Sequence, residues 1–579
     1  MKMGVRMGVR MGMGMAMAMA LWQEAAVVVV IVVRVAGAIG GVCEGGVVQA
    51  LVALVMGGLV VEMGSENGGR LQRGRFRATQ APGVLLGAMT PPLVMASRLG
   101  QAVRSGAPGV EQVRVEFWGS IACSAVLLGV LMWSVVVGRE GKERGVQRRN
   151  GCRLKKDEVG ARRKRSGAAI VFLLLLVLVL LQLGLSISAG GVARCVVIAA
   201  GSAFVFQSFL QAFPSCTSAG EAMLVAHGFT LYLGNTVLDP LLKQFVNKVW
   251  PESMPVENVD PVHAIVHAIV LGMLLVPVLY RSLLSTLALE ASEKPEKELI
   301  LESASRAALF CFTVLAVVLW AAPAWLRLVA GISQHPVLWI LQYMTDEPVQ
   351  RWGLCVYWVV VIGIFSLVLH QMALKKQIAR IMIRKGFHIM VLVMFVPALA
   401  FQADFLRISF ALALGVFILV ETIRVCRIPP LGEKIHTFLE AFTDSRDSGV
   451  LIISHFSLLL GCAIPVWLSS TTAEDRPLAA YAGILSLGIG DTMASVIGYN
   501  FGSMRLSKMS QKTWEGTIAG IASTFGASVL LSFMPPTFPL ASQVGSMAIA
   551  ATCAGLVEAF TSQLDNAFVP IVYYSLLSL

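Results

Sequence analysis

The sequence predicts an all-α, polytopic integral membrane protein, and three observations support that class. Hydrophobic residues make up 56% of the 579 residues and charged residues only 14%, whereas soluble globular proteins carry about 25% charged residues. Residues 166–193 form an uncharged block, longer than the roughly 20 residues needed to cross a bilayer. Comparable apolar runs recur along the rest of the sequence. Together they predict roughly 13 to 15 transmembrane helices.

Composition divides the chain into five segments. Residues 1–24 form a low-complexity segment rich in Met, Gly and Ala, and both a targeting segment and a disordered start are compatible with it. The other segments are poorly defined N-terminal spans at 25–138, a basic loop at 139–165, an upstream transmembrane array at 166–330 and a C-terminal membrane domain at 350–579. Charged residues lie within or beside the spans of this last domain, so we expect the function there.

The formal net charge of +12 is concentrated in the basic loop, which holds twelve Lys or Arg and four Asp or Glu residues. Such a cluster beside a membrane helix predicts the cytosolic side and allows contact with anionic headgroups. No aromatic residues interleave with these charges, so no nucleic-acid partner is expected. The ten cysteines show no CxxC or Cys/His spacing, which indicates small buried side chains rather than a disulfide framework or a metal site.

Ionisable residues inside apolar segments are costly in hydrocarbon and therefore indicate function. In the sequence IARIMIRKGFHIM, Arg384, Lys385 and His388 are expected to open a helix. Positions 384 and 388 would share one face of it. Anchoring at the membrane surface explains the two cations equally well, but it does not explain His388.

A second cluster begins at the end of another predicted helix. Glu421 and Arg424 lie three residues apart there, and the two prolines that follow are expected to break the helix before a short amphipathic segment. The sequence TDSRDSG then supplies Asp444 and Asp447. An N-cap for the next helix is one interpretation of Asp447, but it leaves Asp444 and the embedded His455 unexplained.

The third cluster occupies residues 488–520, GIGDTMASVIGYNFGSMRLSKMSQKTWEGTIAG. On a helix, Asp491, Ser495 and Gly498 share one face, and small residues nearby would also let helices approach closely. The following loop combines cations and hydroxyls with glycines, whose amides reach phosphate oxygens without a Cβ in the way. The N-terminus of the next span points at this loop. The set suits a nucleoside triphosphate, with Asp491 or Glu515 binding a divalent cation, although no Walker A motif occurs.

A fourth cluster lies near the end of the sequence, in GLVEAFTSQLDN. Glu558, Ser562 and Asp565 are spaced to share one helical face, which implies a partner cation or a polar cavity. The apolar run that contains them, 545–578, is long enough for two shorter helices.

Four motifs in this order resemble the signatures of the dolichol kinases: RKGFH, RIPPLGEKIHTFLEAFTDSRDSG, GDTMASVIGYNFGS with QKTWEGT, and VEAFTSQLDN. The resemblance covers about residues 384–579, and GEAMLVAHGFTLYLGNTV at 220–237 is a fainter match. It implies a catalytic domain of dolichol kinase type at 350–579. It also implies CTP-dependent phosphorylation of the terminal hydroxyl of dolichol to dolichyl phosphate, the lipid carrier for protein glycosylation. The enzyme would lie in the endoplasmic reticulum membrane, with its CTP site on the cytosolic face.

The resemblance further implies a CTP-binding loop from residue 499 to about residue 515. The residues expected to contact CTP are Tyr499, Asn500, Gly502, Ser503, Arg505, Lys508, Lys512, Thr513, Glu515 and Gly516. Gln511 stands where relatives often carry a lysine, so we expect Lys512 to contact the phosphates. The expected catalytic residues are Asp491, Lys512, Asp447, Asp444 and His388, of which the last three would orient or deprotonate the alcohol. Asp491 and Glu515 would bind magnesium or calcium.

The expected partners are therefore dolichol or a related polyprenol, CTP and the lipid bilayer. Kinases of shorter alcohols, phytol or farnesol, share part of this signature and remain an alternative. A multi-pass transporter is the non-enzyme alternative, although no repeat relates residues 150–330 to 350–579 as in many transporters. The GxGD intramembrane proteases are excluded because they need a second aspartate in a YD pair, which this sequence lacks.

Overall fold

The structure is a computed structural model. It describes residues 2–41, 43, 45–66, 76–77, 81–106, 109–147, 179, 182, 184–242, 260–287, 296–374, 380–440, 447, 449–469, 476–507, 511–533 and 540–579. The predicted residues Asp444 and Lys508 lie outside this part of the chain, as does most of the apolar run 167–188 and of the basic loop.

The described helices pack into two compact units, Met1–Gly234 with Leu468–Leu579, and Asn235–Trp467. The first unit begins with α1 (Lys2–Gly40), α2 (Gly45–Glu66), α3 (Val84–Ser105), α4 (Val110–Gln147), α5 (Ala189–Ala212) and α6 (Ala219–Leu233). The second contains α7 (Pro261–Thr286), α8 (Glu296–Ala316), α9 (Ala322–Ala330), α10 (Pro336–Asp346), α11 (Pro348–Leu374), α12 (Arg380–Phe401), α13 (Ala403–Val425), α14 (Gly432–Glu440) and α15 (Ile453–Leu468). The first unit resumes with α16 (Ala482–Leu485), α17 (Thr492–Phe501), α18 (Trp514–Leu531), α19 (Leu540–Phe560) and α20 (Asp565–Leu577).

The predicted class, an all-α polytopic membrane protein, is confirmed. Eleven helices of the described residues are long and apolar enough to cross a membrane. Three apolar stretches of the sequence, 222–240, 449–469 and 514–534, correspond to shorter helices, α6, α15 and α18, which are not among the eleven. The terminal apolar run does divide into two helices, α19 and α20.

Helix α3 was not predicted, although it lies at the centre of the first unit. It packs against α1, α2, α4, α6 and α20, and nearly all of its residues from Val84 to Gly100 are buried. Pro91 and Pro92 lie inside it, and prolines usually end a helix because they lack a backbone donor. The five helices that pack against α3 stabilise it despite its two internal prolines.

A buried histidine links three helices of the first unit. The ring of His227 in α6 lies between Ser120 and Ser124 of α4, with Oγ to ring-nitrogen distances of 3.0 Å and 3.2 Å. Ser124 also donates to the carbonyl of Ala88 in α3, at 2.7 Å. Both ring nitrogens are thus satisfied in the core, where an unpaired polar atom would be costly.

In the second unit, α13 packs against α7. Gly415 lets Met273 approach, because a Cβ at residue 415 would lie 2.8 Å from the Met273 Cγ. Helix α13 ends at Val425, and Pro429 and Pro430, joined by a cis peptide bond, precede α14. The break that the sequence predicted at these prolines is confirmed.

The span that carries Asp491 contains a π turn. A short 3₁₀ segment (Pro477–Tyr481) and α16 lead into the π turn Ser486–Asp491, and α17 continues from it. This π turn packs against α18 and α20. Single π turns are often found at functional sites.

Small residues bring α17 and α18 into backbone contact. A Cβ at Gly516 would lie 2.5 Å from the carbonyl oxygen of Ala494, and a Cβ at Gly520 would lie 3.0 Å from the Ala494 Cβ. A Cβ at Gly490 would approach the Thr524 hydroxyl to 2.5 Å. The glycines of the third cluster therefore pack helices together, the structural role that the sequence left open.

We predict that Gly516→Ala lowers the thermal unfolding temperature of the detergent-solubilised protein. The added methyl group would meet backbone at 2.5 Å, and overpacking of this kind costs about 1–3 kcal/mol. Gly526→Ala in the same helix is the control, because nothing lies within 4 Å of its Cβ position. Alanine should be neutral or stabilising there. Equal unfolding temperatures for the two variants would contradict this packing.

Candidate functional site

The loop after α17 closes into a narrow hairpin at its base. The amide of Leu506 donates to the carbonyl of Lys512 at 3.0 Å, and the amide of Trp514 donates to that of Met504 at 2.9 Å. Gly502 lies against this base, since a Cβ there would be 2.6 Å from the Thr513 hydroxyl. The base of the predicted CTP loop is thus fixed by backbone hydrogen bonds.

Glu515, in the first turn of α18, ties the loop to the helix. One of its carboxylate oxygens accepts hydrogen bonds from the amide and hydroxyl of Ser503, at 3.0 Å and 2.5 Å, and from the amide of Met504 at 3.0 Å. The Ser503 hydroxyl and these amides hold the pKa of the Glu515 carboxyl below its ordinary value. Among the described residues, its other oxygen accepts from Met504 alone, at 3.2 Å, and a carboxylate oxygen can accept more than one hydrogen bond.

Several of the residues predicted to contact CTP are exposed around this loop, namely Tyr499, Asn500, Ser503 and Arg505. By contrast, Thr513 and Gly516 are buried at the start of α18. The Thr513 hydroxyl caps that helix by accepting from the Gly516 amide at 3.3 Å. The structure thus presents a polar, accessible loop above the N-terminus of a helix, an arrangement suited to anions.

The third and fourth sequence clusters meet at Lys512. Its ammonium donates a hydrogen bond to the carbonyl of Glu558, in the last turn of α19. The carbonyls at a helix C-terminus carry partial negative charge, which favours a cation. The predicted shared face of Glu558, Ser562 and Asp565 is wrong, because α19 ends at Phe560 and α20 begins at Asp565.

Glu24 of α1 also belongs to the surroundings of Lys512. It accepts a hydrogen bond from the backbone of Ser562, and its carboxylate interacts electrostatically with Lys512 and Glu62. Glu24 is 8% exposed, and its Oε2 atom is buried without a hydrogen-bond partner among the described residues. A buried acid of this kind adds a polar group to the surroundings of the lysine.

Asp491 is buried, 6% exposed, at the end of the π turn. Among the described residues, no group of three or more His, Cys, Asp and Glu side chains is placed to bind a metal ion. Mg²⁺ at nucleotide sites is usually bound by one or two carboxylates together with substrate phosphates. Asp491 and Glu515, as two separate carboxylates, fit that kind of site rather than a metal site built from protein ligands alone.

In the second unit, the embedded charges of the second cluster form a buried ion pair. Arg424 donates from Nε and a terminal nitrogen to the two oxygens of Glu421, at 2.8 Å and 2.7 Å. Glu421 also accepts from the amide of Ile452 at 2.9 Å, and Arg424 donates to the carbonyl of Val450. The pair therefore joins the end of α13 to the segment before α15.

Asp447 caps α15, which begins at Ile453 rather than near Gly449. Its carboxylate accepts from the amides of Ile453 and Ser454, at 3.1 Å and 3.2 Å, and from the Ser454 hydroxyl. Asp447 thus caps the helix from six residues before its start, so the N-cap position that the sequence suggested is wrong, although the side chain does bind the first amides. Its catalytic role stays a prediction.

The first and second clusters also come together. His455 interacts electrostatically with Asp447, Glu421, Arg384 and Arg424. His388, in the same helix as Arg384, is buried at 6% exposure. The histidine that the sequence left unexplained, His455, therefore lies in a group of paired charges within the second unit.

The sequence interpretation missed two functional candidates upstream. Arg77 and Glu221 form an ion pair at 2.5 Å, and their side chains are 6% and 3% exposed. Glu221 is a lone acid in the apolar run GEAMLVAHG, and Arg77 stands in the segment 64–82 that appeared to be a polar loop. Because Glu221 is an ionisable residue in an apolar run, its position alone indicates a function.

Comparison with known proteins identifies the family. The family model described as Dolichol kinase matches residues 177–533. Dolichol kinase EVAN of Arabidopsis thaliana is 36% identical over 87% of this chain and 89% of its own length. Dolichol kinase of Homo sapiens is 30% identical over 68% of this chain and 70% of its own length. No solved structure matches. The chain belongs to the dolichol kinase family.

Proposed function

We propose that this protein transfers the γ-phosphoryl group of CTP to the terminal hydroxyl of dolichol, giving dolichyl phosphate and CDP. Its membership of the dolichol kinase family supports the reaction. The observation that carries the site is the contact between Lys512 of the loop and the Glu558 carbonyl of the tail motif. Lys512 and Glu558 are 46 residues apart, and their contact joins the loop motif to the tail motif in one polar region where α18 begins and α19 ends.

On the phosphate side, Lys512 and the amides of the loop would bind the β- and γ-phosphates. The N-terminus of α18 adds amides that favour anions, and the exposed loop residues give CTP access. Asp491 and Glu515 would hold magnesium or calcium, which when bound would neutralise phosphate charge. Phosphoryl transfer requires mainly that the protein position the reactants and neutralise the charge of the phosphates.

On the alcohol side, Asp447, Asp444 or His388 would orient the hydroxyl and take its proton. The alcohol oxygen attacks the γ-phosphorus, the bond from that phosphorus to the bridging oxygen breaks, and CDP leaves with the electron pair. The carboxylate of Asp447 has the chemistry for a base, and its hydrogen bonds to the start of α15 fix its position.

The setting of the reaction follows from the membrane helices. Eleven of the described helices are long and apolar enough to cross a membrane, which supports a multi-pass membrane protein. Dolichol can reach such a protein from the bilayer. We place the protein in the endoplasmic reticulum membrane, with the CTP site on the cytosolic face. Its product would serve as the lipid carrier for protein glycosylation.

The donor and the alcohol can be identified with membranes that express the chain. Labelled CTP or ATP is supplied with dolichol, phytol or farnesol in parallel, and the phosphorylated lipid is measured. We expect dolichyl phosphate from CTP to predominate. Transfer to phytol or farnesol instead would reassign the alcohol, and transfer to none of the three would refute the proposed function.

Lys512→Ala should reduce kcat/KM for CTP by about 100-fold or more, because removing a preorganised charge at the transferred phosphate costs on that scale. Lys434→Ala is the control: Lys434 is an exposed cation in α14, outside the proposed site. Its kcat/KM should match the wild type. Near-wild-type activity of Lys512→Ala would rule out the assigned phosphate contact.

The two roles of Asp447 can be separated with Asp447→Asn. Asparagine caps helices about as well as aspartate, so the unfolding temperature should change little. The loss of a general base should lower kcat by about 100-fold or more. Ser454→Ala, which removes the hydroxyl partner of Asp447, is the control and should retain activity. A wild-type kcat for Asp447→Asn would show that Asp447 caps the helix and takes no part in proton transfer.

A further inference from the structure

A short turn between α19 and α20, residues 561–564, is held by parts of the chain more than 340 residues upstream. We name it the tail turn. The amide of Leu564 donates to Glu221 at 2.9 Å, and the side chain of Gln563 donates to the carbonyl of Ala81 at 2.8 Å. The amide of Thr561 still bonds the Val557 carbonyl of α19 at 2.9 Å, but the amide of Leu564 is bonded by Glu221, so distant partners help to fix the position of the tail turn.

Glu221 is the centre of this arrangement. Its carboxylate accepts from Arg77 at 2.5 Å and from the amide of Ser218 at 2.9 Å, in addition to Leu564. Ser218, in turn, donates its hydroxyl to the side-chain oxygen of Gln563. A buried ion pair contributes only when its remaining hydrogen bonds are satisfied, and here one of those bonds comes from the tail turn.

Glycines allow the tail turn to dock on the upstream segments. Gly83 has a φ of +67°, and a Cβ there would lie 2.3 Å from the Gln563 Cδ. A Cβ at Gly220 would lie 2.0 Å from the carbonyl oxygen of Gly83. The starts of α3 and α6 thus cross in backbone contact, and Gln563 packs on the crossing.

The tail turn is connected directly to the phosphate-binding lysine. Glu558, whose carbonyl accepts from Lys512, lies three residues before the turn. Ser562, within the turn, donates from its backbone to Glu24, which also interacts electrostatically with Lys512. A displacement of the tail turn would therefore shift the end of α19, whose Glu558 carbonyl binds the lysine.

We propose that Glu221 is a positioning residue of the kinase site. It holds the tail turn through Leu564, and the tail turn fixes the end of α19, whose Glu558 carbonyl holds the Lys512 ammonium in place. This role rests on the proposed function of Lys512 in binding CTP phosphates. It makes the upstream part of the chain a structural component of the nucleotide site, although the residues that contact CTP lie downstream.

The test is the kinetics of Glu221→Gln in membranes, with CTP and dolichol varied separately. The KM for CTP should rise about tenfold, since small displacements of a catalytic group have effects of that size or larger. The KM for dolichol should stay within about twofold of the wild type. Glu116→Gln is the matched control: Glu116 is a buried acid paired with Arg98 in the same unit, at 3.6 Å. It should leave the KM for CTP unchanged.

A double variant shows whether Glu221 acts through the lysine. In a Lys512→Ala background, Glu221→Gln should cause no further loss of kcat/KM for CTP, because residues that act through one another are not additive. Fully additive losses, or equal rises in both KM values, would overturn the positioning role. Inactive wild-type membranes would instead refute the proposed function, so the two failures are distinguishable.

Ser218→Ala provides a second route if Glu221→Gln does not accumulate in membranes. It removes the hydroxyl that binds Gln563 and that also caps α6 by accepting from the Glu221 amide at 3.2 Å, and it leaves the Glu221 and Arg77 pair in place. A selective rise in the KM for CTP is again expected, by about threefold for the loss of the bond to Gln563. An unchanged KM for CTP would overturn the positioning role.

Discussion

Charged side chains among membrane helices need partners inside the protein, because hydrocarbon supplies none and leaving a buried charge unpaired is costly. This requirement organises both units of the chain. In the first, Glu221 joins Arg77 to the tail turn. In the second, Glu421 and Arg424 join the end of α13 to the segment before α15. Arg77 and Glu221 come from segments far apart in the chain, whereas Glu421 and Arg424 lie in one helix and bind a segment about 30 residues further on, so in both units the paired charges fix the local fold.

The proposed nucleotide site follows from the same requirement. Lys512 is bound by a helix-terminal carbonyl, and Glu515 accepts hydrogen bonds from the amides of the loop it borders. A site whose charged groups are already held by the protein needs little rearrangement when a polyphosphate binds. Such preorganisation is what phosphoryl transfer requires.

The sequence predicted the helical class, the loop and the four motifs because each depends on local composition. It predicted the break after α13 for the same reason, since proline acts on its own backbone. It missed α3, whose two prolines are tolerated only because neighbouring helices bury it. It also missed the pairing of Glu221 with Leu564, because such a contact depends on packing between distant segments. The shared face expected for Glu558 and Asp565 failed because the chain leaves the helix between them.

The π turn before Asp491 makes that span tolerant of a change in chain length at one place. A π turn closes with a hydrogen bond between residues i and i+5 and so holds one residue more than an α-helical turn. Deleting one residue inside it would let an i to i+4 bond form instead, so the flanking residues would keep their faces toward α18 and α20. A deletion in the regular helix of α17 would instead rotate one side of the helix relative to the other by about 100°. Within this span, the π turn is therefore the place where the loss of one residue would disturb the packing least.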